Sequence, residues 1–201
     1  MGVFVGLILS YLLGSLPVGL IIAQKYGHPD IRKEGSGNIG ATNVARVVGK
    51  KAGLITLAGD VLKGVLPVLT FSLILGTDTW QKQVVISLAG LAAFLGHLFP
   101  IYLKFKGGKG VATATGVFLI LCPLAVLADT IVFLAVLWRW RYVSLASLSA
   151  AAAMPLLIAL FSNPKVYIIL AAIVAAFIFY RHKANIHRLL TGTELHIKSN
   201  G

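Results

Sequence analysis

The chain has 201 residues, of which 58% are hydrophobic and 12% are charged. A soluble domain carries about 25% charged residues, so this composition excludes a soluble protein and predicts a polytopic membrane protein with a single domain, residues 1–201. The 18 Lys and Arg residues against 6 Asp and Glu do not require a nucleic-acid partner, because cytoplasmic loops that face anionic lipid carry the same excess. One cysteine, Cys122, excludes a disulfide framework and a zinc cluster.

Seven apolar segments predict an all-α bundle of seven transmembrane helices, since about 20 apolar residues cross a bilayer. Residues 111–138 fit either one overlong helix or two short helices that meet at Cys122-Pro123 or at Asp129-Thr130. Pro123 favours a break, because proline lacks a helix donor and clashes with the preceding turn. The predicted spans lie near 2–24, 53–75, 83–103, 111–127, 129–140, 143–161 and 166–181.

Charge counting also favours seven spans. With seven spans, 16 of the 18 basic residues lie on one side of the membrane, and only Lys82 and Lys165 lie on the other. With 111–138 as one helix, the 18 basic residues are divided 11 against 7 between the two sides of the membrane. The positive-inside rule therefore predicts an N-terminus outside and a C-terminus in the cytoplasm, together with two glycine-rich tracts. We expect no cleaved signal peptide, since no basic region precedes the first apolar segment.

The first glycine-rich tract, residues 36–46 (SGNIGATNVAR), lies in the longest loop, after the first span. Gly35, Gly37 and Gly40 fit the dinucleotide-binding pattern GxGxxG, but that pattern requires a preceding strand and an acidic residue about 20 positions later. The preceding segment, HPDIRKE, predicts no strand, so we reject a dinucleotide site.

The same tract predicts a tight turn followed by a helix from about Ile39. Ser36 and Asn38 can cap this helix and, with its free amides, bind an anion. Thr42 and Arg46, which are four positions apart, then share one face of the helix. The alternative is an ordinary capped helix with a solvated arginine. The predicted substrate-binding residues of this tract are Ser36, Asn38, Thr42, Asn43 and Arg46.

The second glycine-rich tract, residues 104–110 (KFKGGKG), follows His97 at the end of the third span. It is not a Walker A loop, since that motif requires Ser or Thr after the lysine, and Lys109 is followed by glycine. Its glycines still permit close approach of the backbone to a phosphate, and the following helix N-terminus and the lysines add positive charge. A flexible turn with lysines at the lipid headgroups is the alternative. The predicted ligands are Lys104, Gly107, Gly108, Lys109 and Gly110.

Ionisable residues inside the predicted spans are a further signal, since such residues usually pair or serve a function. Asp60 and Lys63 lie three positions apart in the second span, where structural pairing and catalysis are equally open. His97 is a candidate base, a phosphate donor or a hydrogen-bonding group at the helix end.

The C-terminal segment YRHKANIHRLLTGTE combines cationic side chains with apolar residues that fit a short helix on the membrane surface. Glu194 is one of the few acidic residues on the predicted cytoplasmic side, so we expect it to orient the cations. A purely interfacial anchor is the alternative. The candidate site residues here are His182, Asn185, His187, Arg188 and Glu194.

These motifs together resemble those of the small bacterial acyl-phosphate:glycerol-3-phosphate acyltransferases. The segments concerned are SGNIGATNVAR at 36–46, DVLKG at 60–64, GHLFPIYLKFKGGKGVATATG at 96–116 and NIHRLLTGTE at 185–194. The resemblance implies transfer of a fatty acyl group from acyl phosphate to the sn-1 hydroxyl of glycerol 3-phosphate. The products would be lysophosphatidic acid and phosphate, in the first step of phospholipid synthesis, on the cytoplasmic side of the bacterial inner membrane.

The residues themselves are compatible with this chemistry. The acidic residues are scattered, so no carboxylate cluster for magnesium is evident, and there is no GxSxG elbow for an acyl-enzyme. Five residues beyond His97 stands Tyr102, so the histidine–four residues–aspartate signature of other membrane acyltransferases is absent. Acyl phosphate is a mixed anhydride with a good leaving group, so positioning and charge stabilisation can suffice. We therefore expect direct attack, with no metal and no cofactor.

The expected proton acceptor is His97, His182, Glu194 or an oxygen of the substrate phosphate. An organophosphate transporter is the alternative function, although it would favour an internal repeat and a site at the bilayer midplane, which the sequence does not indicate. The expected partners are acyl phosphate, glycerol 3-phosphate and the lipid bilayer, with no nucleic acid and no obligate protein partner. The predicted catalytic residues are Ser36, Arg46, Lys104, His97, His182, Asn185 and Glu194.

Overall fold

The computed structural model describes residues 1–161 and 164–196, and the regular structure within these residues is helical throughout. The chain divides into two compact units, unit 1 (Met1–Leu121) and unit 2 (Cys122–Gly201). The single domain expected from the sequence stays a prediction. The helices are α1 (Gly2–Ser15), α2 (Val18–Lys25), α3 (Ala41–Val47), α4 (Lys50–Leu75), α5 (Trp80–Leu98), α6 (Val111–Leu121), α7 (Pro123–Trp140), α8 (Val143–Phe161), α9 (Lys165–Arg181) and α10 (Lys183–Leu190).

Five segments in the described part of the chain are long and apolar enough to cross a membrane. A sixth results if α9 and α10, which are bent by 61° at their junction, form one span. Each of the seven predicted apolar segments overlaps one of these segments or α6, so the all-α membrane fold is confirmed. The five segments are Gly2–Lys25, Lys50–Leu75, Trp80–Leu103, Pro123–Trp140 and Val143–Phe161.

The break between α6 and α7 lies at Cys122. This confirms Cys122-Pro123 rather than Asp129-Thr130 as the meeting point of the two helices, and the predicted bounds 111–127 and 129–140 are wrong. Pro123 takes the first position of α7, where its missing N–H costs no hydrogen bond, and Asp129 lies inside that helix. Cys122 has φ −148° and ψ 67°, and so lies outside the α region that a following proline disfavours. The 11 residues of α6 extend over about 16 Å, roughly half of a bilayer core of about 30 Å.

Glycines bring the helices of unit 1 into close contact. α1 packs on α5, and α4 packs on both α5 and α6. A side chain at Gly14 would collide with the backbone of Ala93, and one at Gly64 would collide with the backbone of Thr113. Small residues at such crossings are typical of membrane helices, since packing rather than water exclusion drives their association.

The long loop between α2 and α4 is ordered by a small apolar core of its own. Ile31, Ile39 and Val44 are at most 4% exposed and pack with Leu20 and Ala23 of α2. This core fixes the first glycine-rich tract against the ends of α2 and α4 rather than leaving it as a free linker.

In unit 2, α7 packs against α8, and α8 packs against α9. The chain then turns at His182 into α10, which contacts both α8 and α9. The short C-terminal helix expected from the sequence is thereby confirmed, while its place on the membrane surface stays a prediction.

Candidate active site

Asn43 organises the first glycine-rich tract from inside. It is 1% exposed, and its Nδ2 donates to the carbonyl oxygens of Ile31 (3.3 Å), Glu34 (3.0 Å) and Asn38 (2.9 Å). Its Oδ1 accepts a hydrogen bond of 2.7 Å from the amide of Ser36. The structure thus uses the Asn43 side chain to hold the loop, whereas the sequence predicted a ligand of the substrate.

The predicted caps of the helix after this tract are wrong. α3 begins at Ala41 with Gly40 as its N-cap, and no side chain caps it. Asn38 Oδ1 accepts from the amide of Gly40 at 2.8 Å, which closes a turn before the helix and delays its start beyond Ile39. Ser36 is exposed instead.

Arg46 and Thr42 lie on α3 and are exposed, as the predicted common face requires. Arg46 forms no ion pair with any residue that the structure describes. Its guanidinium is therefore an exposed cation without a protein counterion among the described residues.

The amides of Gly107 and Gly108 cap the end of α5. Gly107 N donates to Leu98 O at 3.2 Å, and Gly108 N donates to His97 O at 3.1 Å. Carbonyls in the last turn of a helix lack intrahelical donors, so these two amides satisfy them. The two glycine amides that the sequence assigned to phosphate therefore have protein acceptors.

Gly110 is glycine for reasons of backbone and space. Its φ is +85°, and a side chain there would collide with the rings and methyl groups of Phe94 and Leu98. The tract thus enters α6 in close contact with the C-terminal part of α5.

Lys104 and Phe105 adopt a conformation that the sequence did not predict. Their φ angles are +50° and +63°, and left-handed conformations of non-glycine residues cost about 1–3 kcal/mol each. Such strain is concentrated at functional sites. A hydrogen bond of 2.9 Å from Phe105 N to Pro100 O helps to hold this turn, and the Lys104 side chain is exposed.

Asp60 and Lys63 form the ion pair that was one of the two possibilities open from the sequence. Lys63 Nζ is 2.9 Å from Asp60 Oδ1, and both side chains are at most 4% exposed. His97 joins the pair, with its Nδ1 3.0 Å from Lys63 Nζ. A backbone acceptor, Leu16 O, lies 2.8 Å from the same ammonium group. We call Asp60, Lys63 and His97 the buried cluster.

Glu194 holds the polar side chains at the end of unit 2. Its Oε1 accepts from Asn185 Nδ2 (2.7 Å) and Ser144 Oγ (3.1 Å), and its Oε2 accepts from Arg188 Nε (2.8 Å). Burial opposes the charge of the carboxylate, but these three hydrogen bonds outweigh it and lower the pKa of Glu194. The carboxylate is therefore an anion at neutral pH. We call Glu194, Asn185, Arg188 and Ser144 the tail cluster; Ser144 lies 50 positions from Glu194 and carried no signal in the sequence.

The two remaining predicted residues of the tail differ in exposure. His182 is 2% exposed, and its Nδ1 lies 2.8 Å from Ile178 O, one turn earlier. His187 is exposed on α10. The predicted residues of the two glycine-rich tracts thus lie in unit 1, and those of the tail lie in unit 2. Among residues 1–161 and 164–196, no three His, Cys, Asp or Glu side chains come close enough together to hold a metal ion.

Comparison with solved structures identifies the same fold. The chain resembles a crystal structure described as PlsY (YgiH), an integral membrane glycerol 3-phosphate acyltransferase, in its glycerol 3-phosphate form. The TM-score is 0.92 and the identity 42%, over 98% of this chain and 96% of that one. The lysophosphatidic acid form of that protein gives a TM-score of 0.89 at 41% identity, over 98% and 96% of the two chains.

Comparison of sequences leads to the same family. The protein named glycerol-3-phosphate acyltransferase from Geotalea daltonii is 51% identical over 185 residues, which is 92% of each chain. The protein of that name from Aquifex aeolicus is 45% identical over 188 residues, 93% of this chain and 95% of that one. The family model described as glycerol-3-phosphate acyltransferase matches residues 4–192. This chain, with nearly its whole length matched, belongs to the glycerol-3-phosphate acyltransferase family.

Proposed function

We propose that the chain transfers a fatty acyl group from acyl phosphate to the sn-1 hydroxyl of glycerol 3-phosphate, and so begins phospholipid synthesis. The observation that carries this proposal is the similarity over 98% of the chain to an acyltransferase whose structures are described as glycerol 3-phosphate and lysophosphatidic acid forms. It supports an enzyme over the transporter that was the alternative from the sequence.

The proposed ligands of glycerol 3-phosphate are cations and hydrogen-bond donors outside the predicted spans. Arg46 and Lys104 are exposed in unit 1, and Arg188 is presented in unit 2 by Glu194. Thr42, Asn185 and His187 remain proposed ligands as well, and Ser36 remains a proposed ligand of the acyl phosphate. Asn43 contributes by holding the loop that carries Ser36, since its own amide group contacts that loop.

The proposed binding site of the acyl phosphate is the start of α6. Its first backbone amides lack intrahelical acceptors and carry the positive end of the helix dipole, which favours a phosphate. Lys109 supplies positive charge at this helix N-terminus. Gly107 and Gly108 serve the site by docking the tract on α5 through their amides.

In the proposed reaction the sn-1 oxygen bonds to the acyl carbonyl carbon, and the bond from that carbon to the phosphate oxygen breaks. The proton of the hydroxyl passes to an oxygen of the departing phosphate. Each protein candidate already has another contact. His97 Nδ1 contacts Lys63, His182 Nδ1 contacts Ile178 O, and the Glu194 carboxylate accepts three hydrogen bonds. The burial of both histidine rings and the lowered pKa of Glu194 support the substrate phosphate as the proton acceptor.

We also propose seven membrane crossings, with the N-terminus outside, and with the C-terminus and both glycine-rich tracts in the cytoplasm beside the bacterial inner membrane. α6 would be the shortest crossing. Its non-helical flanks fit this role, because irregular backbone is tolerated at membrane depth where protein covers it. The charge distribution of the loops supports the orientation.

The test is turnover of palmitoyl phosphate by the purified protein in lipid, with and without glycerol 3-phosphate. We expect equal amounts of phosphate and lysophosphatidic acid, without added metal or coenzyme A. Lys104→Ala should lower kcat/KM by about 100-fold, as loss of a charged ligand does. The matched control is Lys82→Ala, since Lys82 pairs with Asp78 in the loop before α5. Well-folded protein without turnover would contradict the proposal, and uptake of glycerol 3-phosphate into vesicles would then be measured.

A further inference from the structure

Lys63 uses all its hydrogen-bond donors within unit 1. An ammonium group has three protons and no acceptor, and its three contacts are Asp60 Oδ1, Leu16 O and His97 Nδ1. Leu16 stands between α1 and α2, where Pro17 interrupts the helix. Lys63 thereby joins three elements of unit 1, namely the α1–α2 break, α4 and α5.

His97 Nδ1 lies against both members of the ion pair, 3.0 Å from Lys63 Nζ and 3.6 Å from Asp60 Oδ1. The pair thus fixes one edge of the ring. In the neutral form of the ring Nδ1 accepts from Lys63, and the ring proton lies on Nε2.

The opposite edge of the ring faces the second glycine-rich tract. A side chain at Gly108 would overlap His97 Nε2 and come within 3.0 Å of Cδ2. The backbone of the same two residues is joined by the hydrogen bond from Gly108 N to His97 O. His97 thus contacts the buried cluster with one edge and the tract that leads into α6 with the other.

We propose that Asp60 and Lys63 are positioning residues for the acyl phosphate site. They hold the His97 ring, the ring sets the position of residues 107–110, and these residues set the position of the first amides of α6. This inference rests on the proposed function, in which those amides bind the acyl phosphate. It assigns to the pair an effect on one substrate, whereas a purely structural ion pair would affect overall stability.

The test compares Michaelis constants for palmitoyl phosphate and glycerol 3-phosphate in lipid nanodiscs. The main variant is the double substitution Asp60→Asn with Lys63→Met, which removes both buried charges together and leaves none unpaired. We expect its KM for palmitoyl phosphate to rise at least about tenfold, while its KM for glycerol 3-phosphate stays within about threefold, because a small displacement of the binding amides weakens one site selectively.

A second pair of variants tests the contact between the ring and the tract. Gly108→Ala should raise the KM for palmitoyl phosphate, because the added methyl group overlaps the ring. His97→Asn keeps an acceptor for Lys63 but removes that edge of the ring. The double variant His97→Asn with Gly108→Ala should therefore have a KM for palmitoyl phosphate about fivefold lower than that of Gly108→Ala alone, as expected of two residues in contact. Ser87→Ala is the control on α5, since Ser87 Oγ has no hydrogen-bond partner in the described residues.

Parallel changes in both KM values, or a double variant that matches the wild type, would overturn the positioning role. A wild type without turnover would contradict the proposed function instead, and amide exchange of residues 104–111 would then decide the inference. Faster exchange in the double variant at unchanged global stability would support it, and unchanged exchange would overturn it.

Discussion

The buried cluster and the tail cluster are each built around one carboxylate, but they differ in surroundings. In the first, Asp60 and Lys63 lie inside unit 1 and are at most 4% exposed. In the second, Glu194 is 6% exposed while its partner Arg188 is 34% exposed. One cluster is enclosed by helices, and the other presents a cation at the surface.

The difference in exposure indicates that the charges of the two clusters serve different purposes. An ion pair without access to water cannot contact a soluble substrate, so the proposed effect of the buried cluster on the site passes through residues that the cluster holds in place. In the tail cluster, Glu194 holds Asn185 through its Nδ2 and Arg188 through its Nε. The remaining nitrogens of the Arg188 guanidinium are the donors left for the anion of the proposed site.

The largest difference between the clusters should appear when each loses its cation. Lys63→Met leaves Asp60 buried without its counterion, and breaking a buried pair costs about 3–5 kcal/mol of the free energy of unfolding. Arg188→Met leaves Glu194 with two hydrogen bonds and costs about 1 kcal/mol or less, as partly exposed pairs do. Unfolding of both variants in the same micelles measures the two costs. Equal losses would show that the two ion pairs do not differ in what they contribute to stability.

The second comparison concerns activity and the charge of Glu194. Glu194 Oε1 accepts from two donors and Oε2 accepts from one. In Glu194→Gln an amide N–H₂ replaces one of these oxygens, so at least one donor loses its acceptor. Hydrogen bonds to charged groups are worth about 1.5–3 kcal/mol, so kcat/KM for glycerol 3-phosphate should fall by about 10–100-fold. Glu34→Gln is the control, because Glu34 pairs with His28 on the loop surface. A Glu194→Gln variant with unchanged kinetics would remove the tail cluster from the proposed site.

The sequence predicted the elements better than the contacts between them. The lengths of the apolar segments predicted where the spans lie. The i, i+3 spacing of Asp60 and Lys63 made an ion pair one of two open possibilities. The Leu16 carbonyl and Ser144 carried no signal, because a hydrogen bond over 47 or 50 positions depends on which helices become neighbours. Glycine content predicted a phosphate loop, but it could not show that the amides of Gly107 and Gly108 would be taken by the end of α5.

The smallest effect should come from Ser144, the neutral member of the tail cluster. Ser144→Ala removes one donor to Glu194 Oε1 and leaves the bonds from Asn185 and Arg188 in place. Since Oε1 keeps the donor from Asn185, the cost lies at the lower end of the range for a hydrogen bond to a charged group, about 1.5 kcal/mol, and kcat/KM should fall by about tenfold at most. Ser147→Ala, on the same helix and also buried, is the matched control for kinetics measured in parallel. A loss as large as that of Glu194→Gln would mean that Ser144 contacts the substrate itself, and the tail cluster would then be part of the binding surface rather than its support.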